Sequence, residues 1–197
     1  MVSAALLQWQ SSRKAKLDNL LKAHLAVGGS KAGRRWATEE LNHAIILRLA
    51  SEFQGYCRDL HDEAIQFVVH STASADPEVR RVLTFSFLAA RRLDRGNAEP
   101  GALGNDFSLF NVDLWPNLHA HYPTKSSEWR RRLEMLNKAR NGIAHDDKKK
   151  IADVVAADWP LTLPSVKRWR SGLDGLARGM DHVVNESLRQ LLNKAPW

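Results

Sequence analysis

Three side chains near residue 140 have the types and spacing needed for acid–base chemistry on a phosphate. The hexapeptide RNGIAH at 140–145 places Asn141 and His145 one helical turn apart, on the same face. Arg140 lies about 100° further round that helix, and its side chain is long enough to converge with theirs. Imidazole exchanges a proton near neutral pH, and a guanidinium donates paired hydrogen bonds to phosphoryl oxygens. Such groups suit RNA cleavage in which the ribose 2′-OH attacks the neighbouring phosphorus.

An ordinary helix end is the alternative interpretation of the same residues. In that case Arg140 pairs with a carboxylate, Asn141-Gly142 marks the end of the helix, and the helix dipole favours His145. Gly142 inside a helix costs roughly 1 kcal/mol relative to alanine. We therefore expect either a kink at Gly142 or a close approach by another backbone or a ligand. The residues alone leave both interpretations open.

Positive charge is concentrated around the hexapeptide. The chain of 197 residues has 29 Lys plus Arg and 22 Asp plus Glu, a formal charge of +7. Between Lys125 and Lys150, nine Lys or Arg stand against four Asp or Glu, so 9 − 4 = +5 of that surplus lies there. Two basic runs flank the hexapeptide, and either they guide RNA to it or they form only a solvated face. The runs are Arg130, Arg131 and Arg132 before it, and Lys148, Lys149 and Lys150 after it.

Composition restricts the class of protein. A hydrophobic content of 44% is enough for a folded core, which excludes disorder for most of the chain. The single cysteine, Cys57, cannot form a disulfide within the chain, and we expect it to be a small core residue rather than a nucleophile. The N-terminus lacks the charge pattern of a signal peptide, and no apolar run approaches the roughly 18 residues of a membrane helix. The sequence thus predicts a soluble, cytoplasmic protein.

Apolar residues recur at steps of three and four, which predicts an all-α bundle. No stretch alternates strictly between apolar and polar residues, so we predict no strand. We divide the chain into an N-terminal helix with a Gly-rich linker, residues 1–37, and a helical bundle, residues 38–197. The predicted helices are 4–27, 38–70, 77–95, 126–144 and 165–192, with a loop at 96–104, one or two short helical turns within 106–122, a break at 146–150 and a turn at 151–157.

Metal-ligand residue types occur in two further places, but neither has a diagnostic spacing. One is His119-Ala120-His121, and the other is the helical cluster of Asp59, His61, Asp62 and Glu63. No third set of ligands falls at a spacing typical of a metal site, and a solvated loop or helix face accounts for both. We predict no metal and no cofactor.

The hexapeptide at 140–145, the charged residues after it and the segment ASEFQGY at 50–56 resemble the HEPN domain family, in particular its RiboL-PSP-HEPN-like branch. The resemblance covers residues 38–192. HEPN domains carry an Arg, often followed by Asn, with a His four to six residues downstream, and Arg140, Asn141 and His145 match that pattern. The resemblance implies an up-down helical bundle of the HEPN type, to which this chain adds an N-terminal helix.

The resemblance also implies a site and a function. Many HEPN proteins are metal-independent RNases in which two subunits face their motifs across one cleft, and they act in toxin–antitoxin systems, phage defence or RNA processing. Some members are inactive. Glu52 and Tyr56, one turn apart, resemble an acidic and aromatic pair that supports the motif in the family. Alternatively, Tyr56 packs in the core and Glu52 pairs with Arg140.

Our hypothesis from the sequence is a homodimeric, metal-independent endoribonuclease acting on RNA such as tRNA, with an antitoxin or a modifying enzyme as a potential partner. His145 is its general acid or base, Arg140 holds the phosphate, and Asn141 orients the histidine or a phosphate oxygen. The alternative is a catalytically silent helical module that binds RNA or a partner protein.

Overall fold

Within residues 1–28, 36–72 and 76–197, which the computed structural model describes, every regular element is a helix and no strand occurs. The prediction of an all-α protein is therefore confirmed. None of the helices in these ranges is long and apolar enough to cross a membrane. The elements are α1 (Ala4–Gln8), a π-helical turn (Trp9–Arg13), α2 (Lys14–Gly28), α3 (Trp36–Thr72), α4 (Pro77–Ala90), a 3-10 turn (Arg92–Asp94), α5 (Pro100–Ser108), α6 (Leu114–His121), α7 (Ser126–Ala144), α8 (Lys148–Ala156) and α9 (Leu163–Leu192).

The N-terminal helix packs into the same core as the rest of the chain. The Ser3 hydroxyl caps α1 by accepting a hydrogen bond from the backbone N–H of Leu6 at 3.0 Å. Trp9, in the π-helical turn, packs its ring edge-on against Phe53 of α3 with the centroids 5.6 Å apart. Of the Gly-rich linker predicted before residue 38, residues 29–35 lie outside the described residues.

Three long helices, α3, α7 and α9, pack against one another and form the centre of the molecule. Tyr56 of α3 is fully buried, and its hydroxyl donates a hydrogen bond to the backbone carbonyl of Ala177 in α9 at 2.7 Å. Burial raises the pKa of Tyr56 well above its ordinary value, so the phenol stays neutral. Trp169 of α9 is also fully buried and stacks on Trp159.

Three glycines on α9 allow α6 and α7 to approach closely. A Cβ at Gly175 would lie 2.7 Å from the indole nitrogen of Trp129, and one at Gly172 would overlap the side chain of Arg132. A Cβ at Gly179 would lie 2.9 Å from Leu118 of α6. Large side chains on α6 and α7 therefore occupy the space that side chains on this face of α9 would need.

Several predicted boundaries are wrong, and tertiary contacts explain the differences. The loop predicted at 96–104 ends where α5 begins at Pro100, because Leu103 and Phe107 bury one side of that helix. The break predicted at 146–150 is shorter than expected, and the turn predicted at 151–157 is helical up to Ala156, because α8 begins at Lys148. Asp147 caps this helix and Val154 anchors it in the core. The helix predicted to reach residue 95 ends at Ala90 and is followed by the 3-10 turn. The remaining predicted helices are present within one to two residues of their expected ends, where the chain is described.

His61 of α3 provides a testable pH dependence of stability. It is fully buried between Phe107 and Phe110, and burial together with the charge of Arg91 lowers its pKa from 6.5 to about 4. As the pH falls, the imidazole of His61 is protonated near pH 6.5 in the unfolded chain but only near pH 4 in the folded protein. The free energy of unfolding that is present above pH 6.5 is therefore reduced as the pH falls towards 4. We expect the free energy of unfolding to fall by about 3 kcal/mol over that window from this group.

Urea unfolding at a series of pH values between 7 and 4 measures the effect. In the variant His61→Leu, the same series should have a shallower slope, since the proton-binding group is absent. Parallel slopes for the two proteins would contradict the assignment to His61.

Candidate functional site

The C-terminal end of α7 is closed by a tight backbone turn. Asp146 has a left-handed backbone with φ of 49°, and its N–H donates to the carbonyl of Ile143 at 3.3 Å. The N–H of Asp147 donates to the carbonyl of Gly142 at 2.8 Å, which completes the pattern typical of a helix end. The Asp147 carboxylate then accepts from the backbone N–H of Lys150 at 3.0 Å and so caps α8. Only residues 145–147 separate the two helices.

Gly142 allows α8 to lie directly against α7. A Cβ at Gly142 would lie 3.3 Å from the backbone nitrogen of Ile151 and 2.9 Å from its Cγ1. The expected close approach by another backbone is therefore confirmed. The contact fixes where Lys150, the residue before Ile151, lies relative to the end of α7.

Arg140 and Asn97 donate hydrogen bonds to one shared acceptor, the side-chain oxygen of Asn141. The Oδ1 atom of Asn141 accepts from a terminal nitrogen of Arg140 at 3.0 Å and from Nδ2 of Asn97 at 2.7 Å. Within the described residues, Arg140 has no carboxylate at ion-pair distance, although it is half-buried. The predicted pairing of Arg140 with Glu52 therefore does not occur. The remaining N–H groups of the Arg140 guanidinium stay available for an external anion.

A polar cleft of about 400 Å³ brings these side chains together with His145 and Lys150. His145 is the residue after α7, and its ring is exposed and has no hydrogen-bond partner among the described residues. The lining carries four Lys or Arg and one Asp, a surplus that favours an anionic ligand. The full lining is Gln54, Arg58, Asp94, Arg95, Gly96, Asn97, Arg140, Asn141, His145 and Lys150.

The opposite wall of the cleft was not found by sequence reasoning. Gln54 of α3 donates to the carbonyls of Leu93 and Gly96 at 2.9 and 2.7 Å, which fixes the loop that carries Asn97. Arg58 donates to Leu93 as well and pairs with Asp94 at 3.2 Å. The spacing of Gln54 and Arg58, one turn apart on α3, is the only signal in the sequence for this wall.

Glu52 and Tyr56 lie away from the cleft. The Glu52 carboxylate is 5% exposed and pairs with Arg13 at 2.8 Å and with Arg48 at 2.6 Å. Its pKa is lowered: burial raises it, but the hydrogen bond from Arg13 and the nearby positive charges outweigh that effect. Tyr56 is a core residue, as the packing interpretation expects. Within the part of the chain that the structure describes, no hydrogen bond or ion pair joins either residue to the hexapeptide.

The two basic runs differ in their distance from the cleft and in how many of their side chains are engaged in contacts within the protein. Lys150 lines the cleft and pairs with Asp147 at 3.3 Å, and Lys148 and Lys149 are exposed beside it. The other run begins ten residues before Arg140, about 15 Å away along α7.

In the run at 130–132, only Arg131 is exposed and has no contact described for its side chain. Arg130 lies over the ring of Trp115 at 5.4 Å, and Arg132 donates to the carbonyl of Arg168 at 2.7 Å. Arg132 therefore has a structural role in packing α7 onto α9.

The helical cluster with metal-ligand residue types is occupied by structural contacts. Asp59 pairs with Arg13, and Asp62 pairs with Arg91. The Glu63 carboxylate accepts hydrogen bonds from the first backbone N–H groups of α1. Of the residues at 119–121, His119 lies 3.2 Å from the Ser126 hydroxyl.

Comparison of this chain with protein-family models, with curated proteins and with solved structures finds no match.

Proposed function

We propose that the protein is a metal-independent endoribonuclease of the HEPN type, which cleaves RNA through attack by the ribose 2′-OH. The observation that carries the proposal is the half-buried guanidinium of Arg140, which has no carboxylate at ion-pair distance among the described residues. It is oriented by Asn141 and opens into a basic cleft that also holds His145. A guanidinium without a carboxylate partner in the described structure is suited to binding a phosphate.

The chemistry follows from the side chains of this cleft. An imidazole of His145 removes the proton of the 2′-OH, and the 2′-oxygen forms a bond to phosphorus. Arg140 stabilises the charge that develops on the phosphoryl oxygens. The bond from phosphorus to the 5′-oxygen breaks, and that oxygen takes up a proton. The products are a 2′,3′-cyclic phosphate and a 5′-hydroxyl.

A homodimer would supply the second proton-transfer group. Among the described residues that line the cleft of one subunit, only His145 carries an imidazole. The reaction requires one group to remove a proton and another to donate one. Two subunits that face their clefts towards each other would bring two copies of His145 to one phosphate. This arrangement is the one that the HEPN resemblance implies. The proposal also includes a role of the enzyme as a toxin or as a phage-defence effector.

Cleavage of a defined RNA in excess EDTA tests the proposal. We expect cleavage to persist without available metal ions and the new ends to be a 2′,3′-cyclic phosphate and a 5′-hydroxyl. A panel that includes tRNA covers structured and single-stranded substrates. A His145→Ala protein, purified in the same way, reports any contaminating nuclease. Absence of cleavage on the whole panel, or ends with a 3′-hydroxyl, would contradict the mechanism.

One observation favours the alternative of a catalytically silent binding module. The ring of His145 is exposed and has no described hydrogen bond that fixes its orientation. A protein that binds RNA in the cleft without cleaving it would satisfy this alternative. The cleavage assay, run beside a binding assay on the same RNA, distinguishes the two functions.

Lys150 should contribute to the salt dependence of RNA binding. Its ammonium lies at the cleft, where it can neutralise one phosphate and release one counterion. In the variant Lys150→Ala, we expect the slope of log affinity against log salt to become shallower by about 0.7. Fluorescence anisotropy with a single-stranded RNA between low and moderate salt measures this slope.

Arg131→Ala is the matched control, since Arg131 is an exposed cation on α7 away from the cleft. Its slope should remain that of the parent protein. An equal change in both variants would indicate a diffuse basic surface rather than a phosphate path at the cleft.

A further inference from the structure

A second group of side chains with the potential to bind a ligand lies at the other end of α7. His121, the last residue of α6, meets His182 and Glu186 of α9, and one ligand atom from each lies within 4.8 Å of the other two. The Nε2 atoms of His121 and His182 lie 3.1 and 3.5 Å from the same oxygen, Oε2 of Glu186. All three side chains are at least 29% exposed, so an ion from solvent can reach them.

We propose that His121, His182 and Glu186 form a binding site for a divalent transition metal ion, with Zn²⁺ as the ion that the ligands favour. Two imidazoles and one carboxylate are ligands that zinc commonly takes, and a water molecule would complete the coordination. Ligand atoms around tetrahedral zinc lie about 3.3 Å apart, given bonds of about 2.0–2.1 Å. The two separations from Oε2 of Glu186 bracket that value, and all three ligand atoms lie within 4.8 Å of one another.

Tyr122 supports the proposal by holding the ring of His182. Its hydroxyl lies 2.9 Å from Nδ1 of His182. When Nδ1–H donates to that hydroxyl oxygen, the lone pair of Nε2 is directed to the ion, which is the usual arrangement for a metal-bound histidine. The other carboxylate oxygen of Glu186 is 3.4 Å from the amide nitrogen of Gln190, which leaves Oε2 to the imidazoles.

The scaffold beneath the cluster is closely packed. Tyr122 packs on Trp129 of α7 with the ring centroids 5.3 Å apart. Gly179, three residues before His182, leaves room for Leu118 and Trp129. These contacts hold the end of α6 against α9, so the ligands from the two helices keep their separation. The packing thus fixes the positions on the two helices from which the three ligands project.

Zinc bound here would join α6 to α9. An ion that binds only the folded state stabilises it, so zinc at a hundred times its Kd should raise the Tm by about 5–10 °C. The sequence pattern predicted no metal because His121 was paired only with its neighbour His119. The other two ligands, His182 and Glu186, lie some 60 residues further along the chain, so no short motif joins them to His121.

Calorimetric titration of the full-length chain with ZnCl₂, after chelator treatment and dialysis, tests the inference. We expect one zinc ion per chain. The variants His182→Ala and Glu186→Gln should each bind zinc at least about 100-fold more weakly and lose the rise in Tm, and Tyr122→Phe should weaken binding by about 10–100-fold. All of these residues are partly exposed, and far-UV circular dichroism verifies that each variant is folded.

Two histidine variants serve as matched controls. His119→Ala removes a neighbouring histidine of α6, and His145→Ala removes the imidazole of the cleft, so both should bind zinc like the parent protein. Absence of saturable zinc binding by the parent, or undiminished binding by His182→Ala and Glu186→Gln, would overturn the inference. Since zinc binding is measured without RNA, its result is independent of the proposed nuclease activity.

Discussion

His145→Ala should lower the rate of RNA cleavage by about 10²–10⁴-fold, the usual contribution of a positioned general acid or base. RNA affinity should change by less than about twofold, because the phosphate contacts come from permanently charged side chains such as Arg140 and Lys150. Single-turnover cleavage with enzyme in excess, paired with fluorescence anisotropy on an uncleavable RNA, separates the chemical step from binding.

His70→Ala is the matched control for this variant. His70 is an exposed histidine of α3 outside the cleft, and its Nδ1 lies 2.7 Å from the carbonyl of Gln66. It should cleave RNA at the parental rate. If His145→Ala cleaves as fast as the parent, His145 is not the proton-transfer group. If it loses affinity in proportion to its rate, its role is in binding.

Glu52→Ala should lower the free energy of unfolding by about 3 kcal/mol. The Glu52 carboxylate is nearly inaccessible and pairs with Arg13, whose side chain is only 17% exposed. Removing one partner of a buried ion pair leaves the other charge uncompensated, which costs about 3–5 kcal/mol. The lower end applies because Arg13 keeps a second partner, Asp59, at 2.6 Å. Urea unfolding monitored by tryptophan fluorescence measures the change.

The control, Glu134→Ala, removes a carboxylate from an exposed pair with Lys138 on α7. Its cost should be below about 0.5 kcal/mol, as for other solvated helix pairs. Under conditions in which both variants are folded, Glu52→Ala should cleave RNA at the parental rate. Slower RNA cleavage with unchanged stability would instead support a role of Glu52 in the active site, as the family resemblance implies.

The long helices were predictable because their apolar spacing matches the surface that they bury. α7 and α9 end within two residues of the predicted positions, since the capping and packing signals lie within each segment. The first half of α5 was predicted as part of a loop because Asn97, Pro100 and Gly101 are typical of loops. Its helix is stabilised from outside: Asp106 accepts hydrogen bonds from the backbone of Arg92 and Leu93 at 2.8 and 2.9 Å. Such tertiary contacts have no periodic signature.

The candidate site was predictable only where it lies on one helix. Arg140 and Asn141 lie near the end of α7 and His145 is the residue after it, so one helix end brings all three to the same cleft, as their spacing indicates. Asn97 lies 44 residues before Asn141, and nothing in its loop indicates the hydrogen bond between them. His182 and Glu186 are likewise one turn apart, but their approach to His121 depends on how α6 packs on α9.

Two glycines of α9, Gly172 and Gly175, restrict which substitutions α7 and α9 can accept independently of each other. Trp129 and Arg132 fill the positions that a Cβ on Gly175 and on Gly172 would need. Enlarging either glycine becomes tolerable only when its partner on α7 shrinks, so the energetic effects of the two changes are not additive. Related chains that carry a larger residue at one of these positions should therefore carry a smaller one opposite it, and such paired exchanges would identify this helix contact from sequences alone.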